Sequence, residues 1–184
     1  MKIRCVVTGQ TATGTSMFVR DTAVDPIALT ALPGFEFHRL WGGDAVPQLP
    51  CGGAAAVPAA YFPAANGFRF GFFTIPANSE RAAAPLDLFA ALAEMQQKLP
   101  GMVEVLEPAN PGMHTTDTVD FDVVVSGECY LELDNGAEVL LKPGDCVIQN
   151  GTRHAWRNRS ADPCVIAVTL VGAKRMAASE SAAE

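Results

Sequence analysis

The sequence predicts an all-β domain, a sandwich or barrel of short strands, on three observations. Six runs between residues 121 and 171 (FDVVVSG, ECYLELDNG, AEVLLKPGD, CVIQNG, RHAWRN and CVIAVTLV) are β-rich and separated by Gly, Pro, Asn and Asp. Short strands at such spacing, with turn residues between them, belong to sandwiches and barrels. Near the start, KIRCVVTG and TSMFVR flank a Thr/Gly turn and read as a hairpin. Only one stretch, PLDLFAALAEMQQKLPG, carries a helical pattern.

The remaining elements follow in chain order. FEFHRLW is a third strand, with His38 as a satisfied structural residue. From Gly42 to Gly67 the chain is rich in Gly, Pro and Ala without a period, which predicts an irregular excursion over the sheet. GFRFGFFTIP alternates Phe68, Phe70 and Phe72 against Arg69 and Gly71, a half-buried strand with its aromatics in the core. The helix has Pro85 at its first position, Asp87 in the first turn and a stripe of Leu86, Phe89, Leu92 and Leu99 before a Pro-Gly stop. The ending AKRMAASESAAE has no core-forming pattern.

A chain of 184 residues fits one domain that buries roughly two thirds of its unfolded surface. It is read as a single domain over 1–172, comprising N-terminal strands and the long loop at 1–75, the helix at 85–99 and the densest β region at 111–171. Residues 173–184 are read as a flexible tail. With 49% hydrophobic and 18% charged residues, the composition is that of a folding globular chain. The net charge of −7 and the lack of a dense Lys/Arg cluster exclude a nucleic-acid footprint. No apolar run approaches the ~20 residues that span a bilayer, and MKIRCVVTGQ lacks an apolar signal region, so a cytoplasmic location is expected. Five cysteines without CxxC spacing suit reduced thiols better than a disulfide framework or a zinc ribbon. Cys129, Cys146 and Cys164 read as small hydrophobes in strands, and Cys51 as an exposed loop thiol.

The polar content concentrates in PGMHTTDTVDFDVVVSGE, which places His114, Thr116, Asp117, Asp120 and Asp122 ahead of three valines. On a continuous strand His114, Thr116 and Asp120 share one face, as do His154, Trp156 and Asn158. A buried His and a buried carboxylate on facing strands each need a partner, because an unpaired polar group costs ~2 kcal/mol or more in an apolar interior. The polar head of the strand is therefore read as the lining of a pocket. Asp117 and Asp122 are assigned to solvent or turns, and Trp156 to either cavity wall or plain core. Arg153, Arg157 and Arg159 alternate opposite to His154 and point to solvent. Gly127, Gly136, Gly144 and Gly151 are read as turn residues with positive φ.

Residues 111–171 resemble the cupin superfamily. DFDVVVSG supplies an acid, six residues and Gly127, so Asp120 stands where that family's first motif has Glu. GTRHAWRN supplies Gly151, His154 and Asn158 at the spacing of the second motif, and LKPGD matches the turn that opens it. His114 takes the first histidine position, and Thr116 stands where the family has a second. The resemblance implies a double-stranded β-helix barrel with extra N-terminal strands and one short helix.

It also implies a metal site of two imidazoles and one carboxylate, His114, Asp120 and His154, suited to Fe, Mn, Ni or Zn. Asp120 and His154 would carry the catalysis, while Thr116, Trp156 and Arg69 would hold substrate, with Arg69 suited to an anionic one. Three functions stay open. They are a metal-dependent enzyme acting on a small metabolite by dioxygenation, isomerisation or decarboxylation, a metal-free enzyme with a His-Asp general base, and a non-catalytic ligand-binding cupin. A homodimer is expected, because the edges of the N-terminal hairpin need covering.

Overall fold

A computed structural model describes residues 2–50, 57–78 and 87–176. Within them the chain forms three sheets. The N-terminal hairpin is a separate two-stranded sheet of β1 (Ile3–Gln10) and β2 (Ser16–Val24), paired antiparallel as expected. A six-stranded sheet runs in the order β3-β4-β5-β11-β6-β9, and a three-stranded sheet in the order β10-β7-β8. The larger sheet takes β3 (Ile27–Leu29), β4 (Leu32–Gly43), β5 (Phe68–Ile75), β6 (Thr118–Ser126), β9 (Cys146–Asn150) and β11 (Cys164–Gly172). The smaller takes β7 (Cys129–Glu132), β8 (Glu138–Leu141) and β10 (Ala155–Arg157).

The two larger sheets meet through one apolar cluster. Ile75, Val124 and Ile166 from the large sheet pack with Cys129, Leu131 and Leu141 from the small one. Fully burying a side chain of this kind contributes about 1.5–3 kcal/mol, which is what closes the sheets face to face. Four of the expected turn glycines, Gly127, Gly136, Gly144 and Gly151, have positive φ. At Gly127 the constraint is double: φ is 71°, and a Cβ would stand 2.2 Å from the Pro163 carbonyl oxygen.

A second cluster lies at one end of the large sheet. Helix α1 (Leu88–Lys98) and the single turn α2 (Met102–Val105) bring Met95, Leu99 and Met102 against Leu29 and Phe37. Asp87 caps α1, accepting from the Ala90 N–H at 3.1 Å, so the helix starts one residue after it and Asp87 is outside the first turn. Pro85 and Leu86 lie outside the described residues. The expected stripe is rotated: Ala91, Met95 and Leu99 are buried, while Phe89 is 86% exposed. Lengthening the stripe toward Phe89 loses to the sheet contact of Met95, whose spacing from Ala91 and Leu99 is also helical.

β5 has the opposite polarity to that expected. Arg69 and Gly71 are buried, and Phe70 is 39% exposed on the outer face. Burying Arg69 is tolerable because its guanidinium donates to the carbonyls of Ala60, Gly43 and Phe68 and to Asp44. Phe70 then falls in a cross-strand row with Thr169, Phe121 and Ile148.

Two thiols behave as expected and one does not. Cys129 and Cys164 are buried, but Cys146 is exposed in β9, and Cys51 lies outside the described residues. His38 is buried at 2% exposure, yet both ring nitrogens lack hydrogen-bond partners, so it is structural without being satisfied. Part of the expected tail is tied down: Arg175 bonds Asp117, the Thr116 carbonyl and the Gly151 carbonyl, while residues 177–184 lie outside the described residues.

Candidate functional site

A cleft opens between the two larger sheets and is covered by α2 and the chain around Tyr61. Its walls are aromatic, from Phe35, Phe37, Tyr61, Phe62, Phe73 and Trp156. Its polar lining comes from His114, Asp120, Asp122 and His154. Trp156 is thus cavity wall, standing edge-on to both Phe73 (5.7 Å between centroids) and His154 (6.1 Å).

The two histidines reach the cleft by a different route from the one alternation predicts. β6 begins only at Thr118, and His114 stands outside it, in a two-residue bridge to His154 just before β10. The two rings lie 4.2 Å apart at 50°. Each Nδ1 faces a carbonyl of its own segment, His114 that of Gly112 at 3.1 Å and His154 that of Thr152 at 2.9 Å. An Nδ1–H that donates to a carbonyl leaves Nε2 with its lone pair, the arrangement that orients histidines as metal ligands. Burial holds both rings neutral: it lowers the His114 pKa, and with help from His114 it pushes His154 down to about 4. The segment carrying His114 is fastened at both ends, by Arg157 on the Pro111 carbonyl and by Arg175 on that of Thr116.

Opposite the histidines, alternation in β6 turns both Asp120 and Asp122 inward, at 5% and 4% exposure. Asp122 was assigned to solvent or a turn, and the structure overturns that. The signal was present in the sequence, since residue 122 shares its parity with residue 120. Burial pushes Asp120 up to about 6, against a hydrogen bond from Thr118. Burial, reinforced by Asp120, pushes Asp122 up to about 8. The Oδ1 of Asp120 is buried and has no hydrogen-bond partner.

The other expected substrate residues lie elsewhere. Thr116 is buried outside the cleft lining, its hydroxyl 2.8 Å from that of Thr118, because the chain leaves strand geometry between His114 and Thr118. It acts on Asp120 through Thr118. Arg69 borders a neighbouring, smaller cavity with its donors already engaged. Asp117 is a surface partner of Arg175. Arg153 and Arg159 pair at the surface with Glu107 and Asp134 and with Glu138 respectively, while Arg157, expected to point to solvent, pairs with Glu132 in a half-buried position. Tyr61 and Phe62 went unassigned, although they are the aromatic pair in an otherwise Gly/Pro/Ala-rich loop.

The two imidazoles have the chemistry of metal donors, with tied Nδ1 atoms and free Nε2 atoms. The carboxylate does not complete the set: among the described residues no group of three or more His, Cys, Asp or Glu side chains is arranged to hold a metal ion. Nor is a hydrogen bond formed between Asp120 Oδ1 and either ring, as a His-Asp general base would need.

Residues 102–171 match the family model described as the Cupin domain. A Phomopsin biosynthesis cluster protein C' of Diaporthe leptostromiformis is 46% identical over 59 residues, 32% of this chain and 31% of that protein. An Oryzines biosynthesis cluster protein J of Aspergillus oryzae is 52% identical over 50 residues, 27% of this chain and 28% of that protein. A cupin-domain-containing oxidoreductase, srdB, of Neurospora crassa is 32% identical over 74 residues, 40% and 38% of the two chains. The matches therefore span only about a third of the length of these curated relatives. Among solved structures, the cupin domain of Schizosaccharomyces pombe Cnp3 aligns with a TM-score of 0.46 at 11% identity, covering 93% of this chain and 87% of that one.

Proposed function

Given that the chain belongs to the cupin superfamily through residues 102–171, we propose that it is an oxidoreductase-type cupin enzyme acting on a small organic metabolite in the aromatic cleft. The observation that carries this reading is the pair of tied imidazoles, His114 and His154, presenting free Nε2 atoms to an aromatic-walled cleft with few polar groups. Those two nitrogens would hold a divalent transition metal, Fe, Mn, Ni or Zn. Bound there, the metal would supply Lewis acidity or an oxygen-binding centre. Asp120, expected as the third ligand, is placed across the cleft in this proposal, where its Oδ1 accepts a proton or a hydrogen bond from the substrate. Trp156, Phe73 and the Tyr61–Phe62 pair exclude water and orient a planar molecule. The name of the Neurospora crassa relative, an oxidoreductase, favours this class over isomerisation or decarboxylation.

The test is elemental analysis of protein purified without chelator and again after exposure to Mn(II), Fe(II), Ni(II) and Zn(II). Uptake that disappears in His114→Ala and His154→Ala is the expected result. Failure to take up any of the four metals removes the metal from the proposal and leaves a ligand-binding cupin.

We further propose that two copies associate. The cross-strand row of Phe70, Phe121 and Ile148 leaves apolar side chains 39%, 47% and 54% exposed on the outer sheet face. Contiguous apolar surface of this kind marks interaction sites, and the cytoplasmic location proposed for the chain would keep its thiols reduced. Among the described residues no helix is long and apolar enough to cross a membrane.

A further inference from the structure

The lining of the cleft restricts what it can hold, and the restriction comes from its polar groups. Asp120 Oδ1 is buried without a partner, and an acceptor in that position costs free energy until a donor reaches it. Among the described residues no Lys or Arg lines the cleft. The guanidiniums of Arg39 and Arg69, which border the neighbouring cavity that shares the Tyr61 wall, are engaged elsewhere. Arg39 donates to the carbonyls of Pro58, Ala59 and Ala60, and Arg69 to those of Ala60, Gly43 and Phe68 and to Asp44. A carboxylate or phosphate entering the cleft would give up its water beside the Asp120 carboxyl, with no described cation in the lining to offset its charge. An ammonium would have to give up its whole water shell for the single partner Asp120 among walls made of Phe35, Phe37, Phe62 and Phe73, a larger desolvation than a neutral hydroxyl undergoes for the same hydrogen bond.

We propose that the ligand of this cleft is a neutral, hydroxylated aromatic molecule whose hydroxyl donates to Asp120 Oδ1 while its ring packs between the aromatic walls. This deepens the enzyme reading of the same cleft and rests on it. Phenol-type recognition uses both halves of the lining at once. The ring is held edge-on or offset by Trp156, Phe73 and Tyr61, the arrangements that aromatic pairs favour. The hydroxyl satisfies the orphaned oxygen. A site built around a buried acceptor rejects analogues that lack the donor, because the acceptor is then left unpaired. Asp120 is the specificity-determining residue in this proposal, and the Thr116–Thr118 hydroxyl pair positions it from behind.

The experiment is a binding titration followed by tryptophan fluorescence and calorimetry, using four probes of one shape: 4-pentylphenol, 4-pentylanisole, 4-pentylbenzoate and 4-pentylbenzylamine. It is run on the protein as purified and again after chelator treatment. The expected result is that the phenol binds at least tenfold tighter than each of the other three in both preparations. In Asp120→Ala the phenol should fall to the affinity of the anisole, while the anisole stays within threefold of its wild-type value, which also reports an intact cleft. A phenol advantage below tenfold over any of the other three, or an advantage that survives in Asp120→Ala, overturns the proposal. The wild-type ranking decides alone should that variant not fold. Discrimination present as purified and lost after chelation would also overturn it, because a metal would then be recognising the hydroxyl. That outcome would leave the metal-enzyme reading standing. Conversely, metal-free protein that still prefers the phenol upholds this inference whatever elemental analysis finds.

Discussion

The backbones of His114 and His154 exchange two hydrogen bonds of 3.0 Å, N–H to carbonyl in each direction, so the two residues are fixed to each other directly. Neither residue lies inside a named strand, and the bridge is what gives the site its geometry. Replacing one residue of the pair therefore removes a donor without moving the other's backbone. His114→Ala and His154→Ala are each expected to lower metal retention at least tenfold, about 1.4 kcal/mol or more, with the far-ultraviolet circular dichroism unchanged. Retention in both variants would place the metal elsewhere.

Arg69 should report stability rather than substrate binding. Its donors are shared among three carbonyls and the exposed Asp44, and truncation empties a buried side-chain position and takes the guanidinium from those carbonyls. Arg69→Ala is expected to destabilise by about 3 kcal/mol, a fall of about 6–12 °C in the melting temperature for a chain of this size. Affinity for an apolar cleft ligand should be unchanged within twofold. A large affinity loss in a stable variant would return Arg69 to the cleft.

His38 gives the fold a pH dependence with a defined sign. Burial lowers its pKa, opposed by Glu36 and Asp25 nearby, and its ring nitrogens have no partner to hold a proton. Below the unfolded value of about 6.5 the unfolded chain binds the proton and the folded chain does not, so stability is lost as the pH falls from there. His114 and His154, also lowered, add to the same slope. His38→Phe is expected to lose less stability than the wild type between pH 7 and pH 5, measured by urea unfolding. Parallel curves would contradict this account.

The outer face predicts a mass. Light scattering at micromolar concentration should give twice the chain mass of 19.4 kDa, and Phe121→Asp combined with Ile148→Asp should return it to the single-chain value without loss of fold. A wild type that scatters as one chain ends the proposal of association.

How much of this was legible in the sequence depends on what alternation can tell. Period two states which residues share a face, and it correctly grouped His154 with Trp156 and the inward side of β6 with Asp120. It does not state which face is inside. In β5 the choice went against the phenylalanines because Arg69 found carbonyl partners in the loop near Ala60, a long-range fact with no local trace. Alternation also presumes an unbroken strand. The run from His114 to Asp120 is broken before Thr118, which put Thr116 behind the cleft even though its parity was right. Asp122 differs in kind, since its parity with Asp120 is readable in the sequence and contradicts the assignment to solvent or a turn. The cleft's aromatic cover, Tyr61 and Phe62, came from an irregular segment where no periodicity exists to be read.

The fastening of the segment that carries His114 links the chain's end to its chemistry. Arg157 holds that segment at Pro111 and Arg175 holds it at Thr116 and Asp117. Arg175 lies beyond the last strand, in a stretch that looks dispensable. Shortening the chain to residue 172, a natural choice when trimming for crystallisation, would leave every described strand intact and release one anchor of the segment that carries His114. A preparation made that way could fold, melt normally and still read as inactive.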